Sequence, residues 1–119
     1  MDFTPQLNLD AQVELKEVNF NLLRELEALE PFGYGNPDPV FGAKSLEVVN
    51  SRIVGNNHLK LKLRSNNCAL DAIGWGMGGQ LEMVEDSGQV DAAFAASINE
   101  YNGSRMVQLK LKAIRPTAD

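Results

Sequence analysis

The sequence predicts a mainly β protein: a barrel of five strands with one short helix between the third and fourth strands, preceded by a short strand–helix segment. Three observations carry this prediction. Several segments alternate apolar and polar residues with the two-residue period of a half-buried strand. Turns rich in asparagine and glycine separate those segments. A run rich in proline and glycine, residues 31–41, divides the chain into a short first part and a longer β-rich part.

The clearest alternation lies in the second predicted strand, residues 58–64. Three leucines face one side, and His58 with three basic residues faces the other. Residues 107–112 repeat this pattern, and residues 90–98 form a third alternating face. One apolar face on each strand is what a closed barrel with a single core requires.

The other two strands are less regular. The first, residues 43–54, changes phase between Leu46 and Ile53, which predicts a bulge or a sharp bend. Residues 69–75 can form the third strand, but their small side chains leave its inward face open.

The connections fit the same plan. Residues 55–57 and 66–67 are short turn signals, residues 79–86 can form a short helix, and residues 102–103 are an Asn-Gly hairpin signal. Three strands, a helix and a hairpin follow one another in the order of an OB-fold, a small Greek-key barrel. The predicted OB-fold covers residues 42–116.

The first 30 residues differ from the rest. Residues 11–16 alternate like a short strand with no obvious partner, and Asn21 is a candidate cap for a helix that runs to Leu29. Residues 1–30 cannot close a core of their own, so they resemble the end of a neighbouring domain. Residues 31–41 then form a rigid junction, which we expect the rings of Phe32, Tyr34 and Phe41 to pin onto a core.

Composition excludes several classes of function. The chain has 119 residues, 44% of them apolar, which is enough for one core. It has one cysteine, Cys68, and one histidine, His58, so a Cys/His metal site is excluded and a Cys-His nucleophile is improbable. The absence of an internal disulfide fits a reducing cytoplasm. No apolar run approaches the length of a membrane span, so we expect no membrane partner.

The distribution of charge matters more than the net charge of −5. Residues 1–50 carry a net charge of −6 and residues 51–119 carry +1. On the second predicted strand, every outward position is basic or potentially basic. Exposed lysines also protect strand edges from pairing, so the pattern alone leaves both interpretations open. OB-folds, however, bind single strands on the face of their second and third strands, where this row would lie.

Single-strand binding usually adds aromatic platforms to a cationic track. Tyr101, in the last hairpin, and Trp75, between two glycines, could each stack on a base or cap the barrel. The candidate nucleic-acid-binding residues are Arg52, His58, Lys60, Lys62, Arg64, Trp75, Tyr101, Arg105 and Lys110. No residue of the chain is a candidate for catalysis or metal binding.

The motifs also resemble a known family. The run of residues 29–41, the segments 54–61 and 70–73, and the segments 99–103 and 108–116 resemble the OB domain of the bacterial RecJ nucleases. The resemblance covers about residues 10–116. The junction is its most specific part, and Ala113 departs from the pattern, where the resemblance leads us to expect an aspartate.

This resemblance implies a longer parent enzyme. It would be a metal-dependent, single-stranded-DNA-specific exonuclease that degrades 5′ to 3′ in recombination and repair, with Mn²⁺ or Mg²⁺ held by a DHH-type core. That core is not in this sequence, so the chain alone is not expected to be an enzyme or to hold a cofactor. Residues 1–30 would be the tail of the DHH-associated domain and a linker helix.

Three interpretations follow from the resemblance. The chain is the single-stranded-DNA-binding module of such a nuclease, an interaction domain that docks a single-stranded-DNA-binding protein or another repair partner, or a clamp that closes the nuclease around DNA. The catalytic and DHH-associated domains of the parent are the expected intramolecular partners.

Overall fold

The computed structural model of the chain describes residues 11–28 and 39–118. Its regular elements are, in order, β1 (Ala11–Gln12), a 3₁₀ turn (Leu15–Glu17), α1 (Phe20–Ala28), β2 (Phe41–Val54), β3 (His58–Ser65), β4 (Cys68–Gly74), a second 3₁₀ turn (Gly78–Gln80), α2 (Leu81–Ser87), β5 (Gln89–Tyr101) and β6 (Ser104–Pro116).

The strands form one sheet in the order β1-β2-β3-β4-β6-β5, and β2 also pairs with β5. That second pairing closes β2 to β6 into a five-stranded barrel with α2 between its third and fourth strands, so the predicted OB-fold is confirmed. The β4–β6 seam is parallel and extends over only three register pairs, from Asp71↔Gln108 to Ile73↔Lys110. The other seams of the barrel are antiparallel.

The predicted phase slip in the first barrel strand is confirmed as two irregularities in β2. The register shifts between Val48 and Asn50 against β3, and between Ala43 and Leu46 against β5. At the second shift, Ser45 has a φ of 57°. An extra residue re-aims every side chain beyond it, and the shift at Val48/Asn50 therefore places Arg52 outward, directly opposite Lys60.

A buried carboxylate ties the bulge at Ser45 to the end of β6. Asp91 on β5 is 3% exposed. Its Oδ1 accepts hydrogen bonds from the Ser45 backbone N–H (3.0 Å) and the Thr117 hydroxyl (3.0 Å), and its Oδ2 accepts one from Arg115 Nε (3.2 Å). The carboxylate thus joins β2, β5 and the end of β6 at one point.

Two asparagine-containing turns make the tight connections. Asn66 and Asn67 have φ of 49° and 69°, and Asn102 and Gly103 have φ of 52° and 79°. Positive φ at both central residues is typical of type I′ hairpins, which match the twist of the strands they join.

The barrel core is closed at both ends. Leu59, Leu61 and Leu63 of β3 point inward and are at most 1% exposed. Val84 of α2 is buried at one end of the barrel. At the other end, near Ser65 and Asn66, the chain before the barrel buries Leu15, Val18 and Leu23 in the same core.

Two predictions for this first segment were wrong. Residues 11–16 are not one strand: only β1 forms, it does have a partner, since it pairs in parallel with Phe41 and Gly42, and a 3₁₀ turn follows. The helix cap is Asn19, whose Oδ1 accepts the Leu22 N–H at 3.0 Å, because the helix begins at Phe20 and not after Asn21.

The Pro/Gly junction lies mostly outside the described residues. Phe41 is described: it is 6% exposed, and its ring centroid lies 6.4 Å from that of Phe94. Phe32 and Tyr34 fall outside the described ranges. The boundaries at residues 30 and 41 stay predictions, although residues 13–23 pack on the barrel. Among the helices described, none is long and apolar enough to cross a membrane.

Candidate nucleic-acid interface

The outer side of the barrel over β2, β3, β4 and β6 carries most of the predicted site, and we call it the strand face. Register places Arg52, Lys60, Ile73 and Lys110 side by side across these four strands. Neighbouring strands lie about 4.8 Å apart, so this row spans about 14 Å. Three of its four residues are cations, and Ile73 between two of them is 5% exposed.

A second row runs parallel to the first, through Asn50, Lys62, Asp71 and Gln108. Between the rows lies a concavity of about 230 Å³, lined by Asn50, Arg52, Lys60, Leu61, Lys62 and Asp71. Arg52, Lys60, Lys62 and Lys110 form no ion pair with any residue that the structure describes. Within the described part of the chain, these four cations are therefore available to an anionic ligand.

An exposed tryptophan marks one end of the strand face. Trp75 follows β4, is 63% exposed, and packs edge-on against His58 with the ring centroids 4.9 Å apart. His58 Nδ1 accepts a hydrogen bond from the Gly76 N–H (3.0 Å), so that nitrogen carries no proton in this arrangement. His58 thus contacts Trp75, and most of the Trp75 surface stays open to solvent.

The loop that carries Trp75 is fastened to the β2–β3 turn. The Gly78 N–H donates to the Asn57 carbonyl (3.0 Å), and Asn57 Nδ2 donates to the Gly76 carbonyl (3.4 Å). A Cβ at Gly78 would overlap the Asn57 side-chain oxygen and lie 3.1 Å from the Asn57 backbone, so glycine favours this close approach. The glycine-rich run of residues 74–79 is therefore a tight connection.

Three other predicted site residues do not belong to this set of four unpaired cations. Arg64 is on the strand face, but it is ion-paired with Glu47. Its Nη2 donates to Glu47 Oε1 at 2.7 Å and to Oε2 at 2.9 Å. Arg105, beside the last hairpin, pairs with Glu100 at 3.6 Å between exposed side chains. Tyr101 ends β5 opposite Ser104, and its side chain lies outside the described part of the structure.

Sequence reasoning missed Asn50, Asp71 and Ile73 as members of the strand face. Asn50 reaches it only because of the bulge at Val48/Asn50, whose position the phase slip could not specify. Asp71 and Ile73 lie on the strand whose inward face the sequence left open. The neighbouring strand β3 carried a signal that could have decided this. Its inward Leu63 and Leu61 pair with Leu70 and Ala72, so Asp71 and Ile73 face outward.

The described residues do not fit a metal site. They include no group of three or more His, Cys, Asp and Glu side chains that could hold an ion. The strand face can instead hold an extended polyanion, through ion pairs from lysine and arginine and through stacking on an exposed indole.

The model of the RecJ OB domain matches residues 9–113. The chain belongs to the RecJ OB domain family. The match covers most of the described barrel and the segment that closes its end.

The relatives agree with this assignment, and the solved structures agree with the fold. The single-stranded-DNA-specific exonucleases RecJ of Bacillus subtilis and Haemophilus influenzae are 27% and 28% identical to the chain, over 93% and 90% of its length. The chain spans only 14% and 19% of those two proteins. A crystal structure of RecJ from Thermus thermophilus in complex with Mn²⁺ superposes with a TM-score of 0.70 at 24% identity, covering 95% of this chain and 16% of that one.

A second crystal structure of that RecJ, in complex with Mg²⁺, is 27% identical, with a TM-score of 0.58 over 82% of this chain and 15% of that one. A putative aspartyl-tRNA synthetase from Leishmania major Friedlin shares the fold at 16% identity, with a TM-score of 0.60. It covers 98% of this chain and 22% of the synthetase.

Proposed function

We propose that the chain is the single-stranded-DNA-binding module of a longer RecJ-type nuclease that degrades single strands 5′ to 3′ in recombination and repair. The observation that carries the proposal is the set of four outward cations, Arg52, Lys60, Lys62 and Lys110, gathered on one face of the barrel without a described partner. The family and the names of the relatives support the choice of single-stranded DNA as the ligand.

The parent enzyme would supply the chemistry. The crystal structures of Thermus RecJ with Mn²⁺ and Mg²⁺ support a divalent metal in the parent. In this proposal a DHH core of the parent holds that metal. In this proposal the catalytic and DHH-associated domains lie before the barrel, and the module presents the strand to them. A cytoplasmic location and docking of a single-stranded-DNA-binding protein remain predictions.

A salt titration tests the proposal. Fluorescence anisotropy with a labelled single-stranded oligonucleotide should give a log–log salt slope of roughly −2.8 for four phosphate contacts, because each contact on a single strand adds about −0.7. Blunt duplex of the same length should bind more weakly, since its bases cannot reach Trp75. A flat salt dependence or equal affinity for duplex would contradict the proposal.

The second candidate is an interaction or clamp domain of the same nuclease. The net charge of −5 favours it, because an acidic molecule repels nucleic acid at long range. Under this alternative the same titration shows no binding of single strands at low salt.

A further inference from the structure

A second cavity, which we call the side groove, lies next to the strand face. It has a volume of about 390 Å³ and lies between residues 16–20 and the first residues of β4 and β6. This volume exceeds the lower bound of about 300 Å³ for small-molecule sites. Its walls include Phe20 and Met106, which are 39% and 51% exposed, and the half-buried Leu70.

The side groove is continuous with the strand face. Lys62 and Asp71 line both cavities, and they are direct neighbours across the β3–β4 ladder. An extended ligand that follows the second row of the strand face therefore reaches the groove without leaving the protein surface.

The groove combines an apolar floor with one unpaired cation at its rim. Leu70, Met106 and Phe20 offer apolar surface, and Lys62 forms no ion pair with a described residue. Lys16 and Arg105 also line the groove, but they pair with Glu14 at 3.4 Å and with Glu100 at 3.6 Å, and Asp71 adds a negative charge. A purely apolar partner has no use for the Lys62 ammonium, and a free anion has no use for the apolar floor. A nucleotide needs both, because its base is a flat apolar ring system and its phosphate is an anion.

We propose that the side groove binds one unstacked base of a single strand that lies on the strand face, with the flanking phosphate near Lys62. The proposal rests on the proposed function and adds residues 16–20, which precede the barrel, to the binding surface. A thioether packs well at the edge of an aromatic ring, which gives Met106 a specific role.

The wall formed by residues 16–20 is held in place before any ligand binds. Leu15 and Val18 are 1% and 2% exposed, buried in the barrel core on either side of Lys16. The Asn19 amide donates to the Lys16 carbonyl at 3.2 Å and caps α1 through its Oδ1. The groove is therefore preformed, and binding does not require this wall to fold.

The test separates contact with the base from contact with phosphate. Anisotropy titrations compare Met106→Asp with Val49→Asp, using a normal single strand and an abasic strand of equal length. Val49 is a matched control: it is 46% exposed, lies on β2, and borders neither cavity among the described residues. Both variants add the same charge, so they should differ only where a base is contacted.

We expect Met106→Asp to weaken binding of the normal strand by about 5- to 150-fold relative to Val49→Asp, the range for loss of one base contact. On the abasic strand, the two variants should agree within about twofold. A thermal melt by circular dichroism confirms that both are folded. If Met106→Asp does not fold, the wild-type chain is cross-linked to 5-iodouracil DNA instead. A cross-linked peptide that contains Phe20 or Met106 supports the proposal.

The remaining outcomes overturn one proposal or both. If the wild-type chain binds no single strands, the proposed function fails and the base pocket fails with it. If it binds, but Met106→Asp behaves like Val49→Asp or weakens both strands equally, the base pocket is wrong and the proposed function stands. A dimer in analytical ultracentrifugation that Met106→Asp abolishes would assign the groove to a second copy of the chain.

Discussion

Reversing two charges of the strand face, in the double variant Lys60→Glu and Lys62→Glu, is the sharpest perturbation of the proposed interface. These residues alternate outward from the buried leucines of β3, and each lies in a different row. Lys62 is exposed and Lys60 is half-buried between Arg52 and Ile73. The change therefore acts on the centre of the face and not on the core.

The size of the effect follows from elementary electrostatics. An ion pair at about 4 Å in bulk water is worth about 1 kcal/mol, so each reversal changes the interaction with a phosphate by about 2 kcal/mol. Two reversals give about 4 kcal/mol before screening by salt. With screening, we expect single-strand affinity to fall by at least about 100-fold at low ionic strength. The salt slope should also fall from roughly −2.8 to about −1.4.

The double variant should stay folded. A substitution at the exposed Lys62 usually costs within about 0.5 kcal/mol, and one at the half-buried Lys60 costs about 1 kcal/mol. Lys62→Glu also places a carboxylate directly across from Asp71, and a like-charge pair in a ladder adds a cost of about 0.2–1 kcal/mol. Together these costs reach at most about 2.5 kcal/mol, which should lower the melting temperature by at most about 15 °C.

The assay is fluorescence anisotropy over a salt series, with the fold checked by circular dichroism. The matched control is Arg24→Glu with Lys44→Glu, because both side chains are exposed, border neither cavity, and change the net charge by the same amount. If the control weakens binding as much as the test variant, the effect is one of net charge. Unchanged affinity in a folded test variant would show that DNA does not use the strand face.

Four further predictions concern the barrel core, the Asp91 carboxylate at the Ser45 bulge, the Trp75 indole and nuclease activity. Leu61→Ala should lower the free energy of unfolding by about 2–5 kcal/mol in urea, because it leaves a cavity in the core. Asp91→Ala should lower it by about 2–4 kcal/mol, because the Ser45 N–H and the Thr117 hydroxyl lose their acceptor and the ion pair with Arg115 is removed, whereas Asp86→Ala should change it by less than about 0.5 kcal/mol. Trp75→Ala should weaken binding of single strands by about 5- to 150-fold in anisotropy with an unchanged melt. Pure chain should not degrade a 5′-labelled oligonucleotide in Mn²⁺, and metal-dependent cleavage would contradict the modular assignment.

Most of the barrel could be predicted because its signals are local. Alternation on β3 and asparagine turns specify strands and hairpins within a few residues. The error at the helix start was also local, since Asn19 and Asn21 are both good caps and only the packing of Leu23 decides between them. Membership of the strand face is not local. Asn50 joins it only through the bulge at Val48/Asn50, and Lys110 lies beside Ile73 only through the parallel seam.

The three-pair seam between β4 and β6 has a mechanical consequence. A short parallel ladder is the easiest place for a closed barrel to part, so its amides should exchange with solvent sooner than those of the longer β5–β6 hairpin. The row from Lys60 through Ile73 to Lys110 crosses this seam. A polyanion held by both lysines would bridge it from outside, and the same contacts that hold the strand would slow the breathing of the barrel.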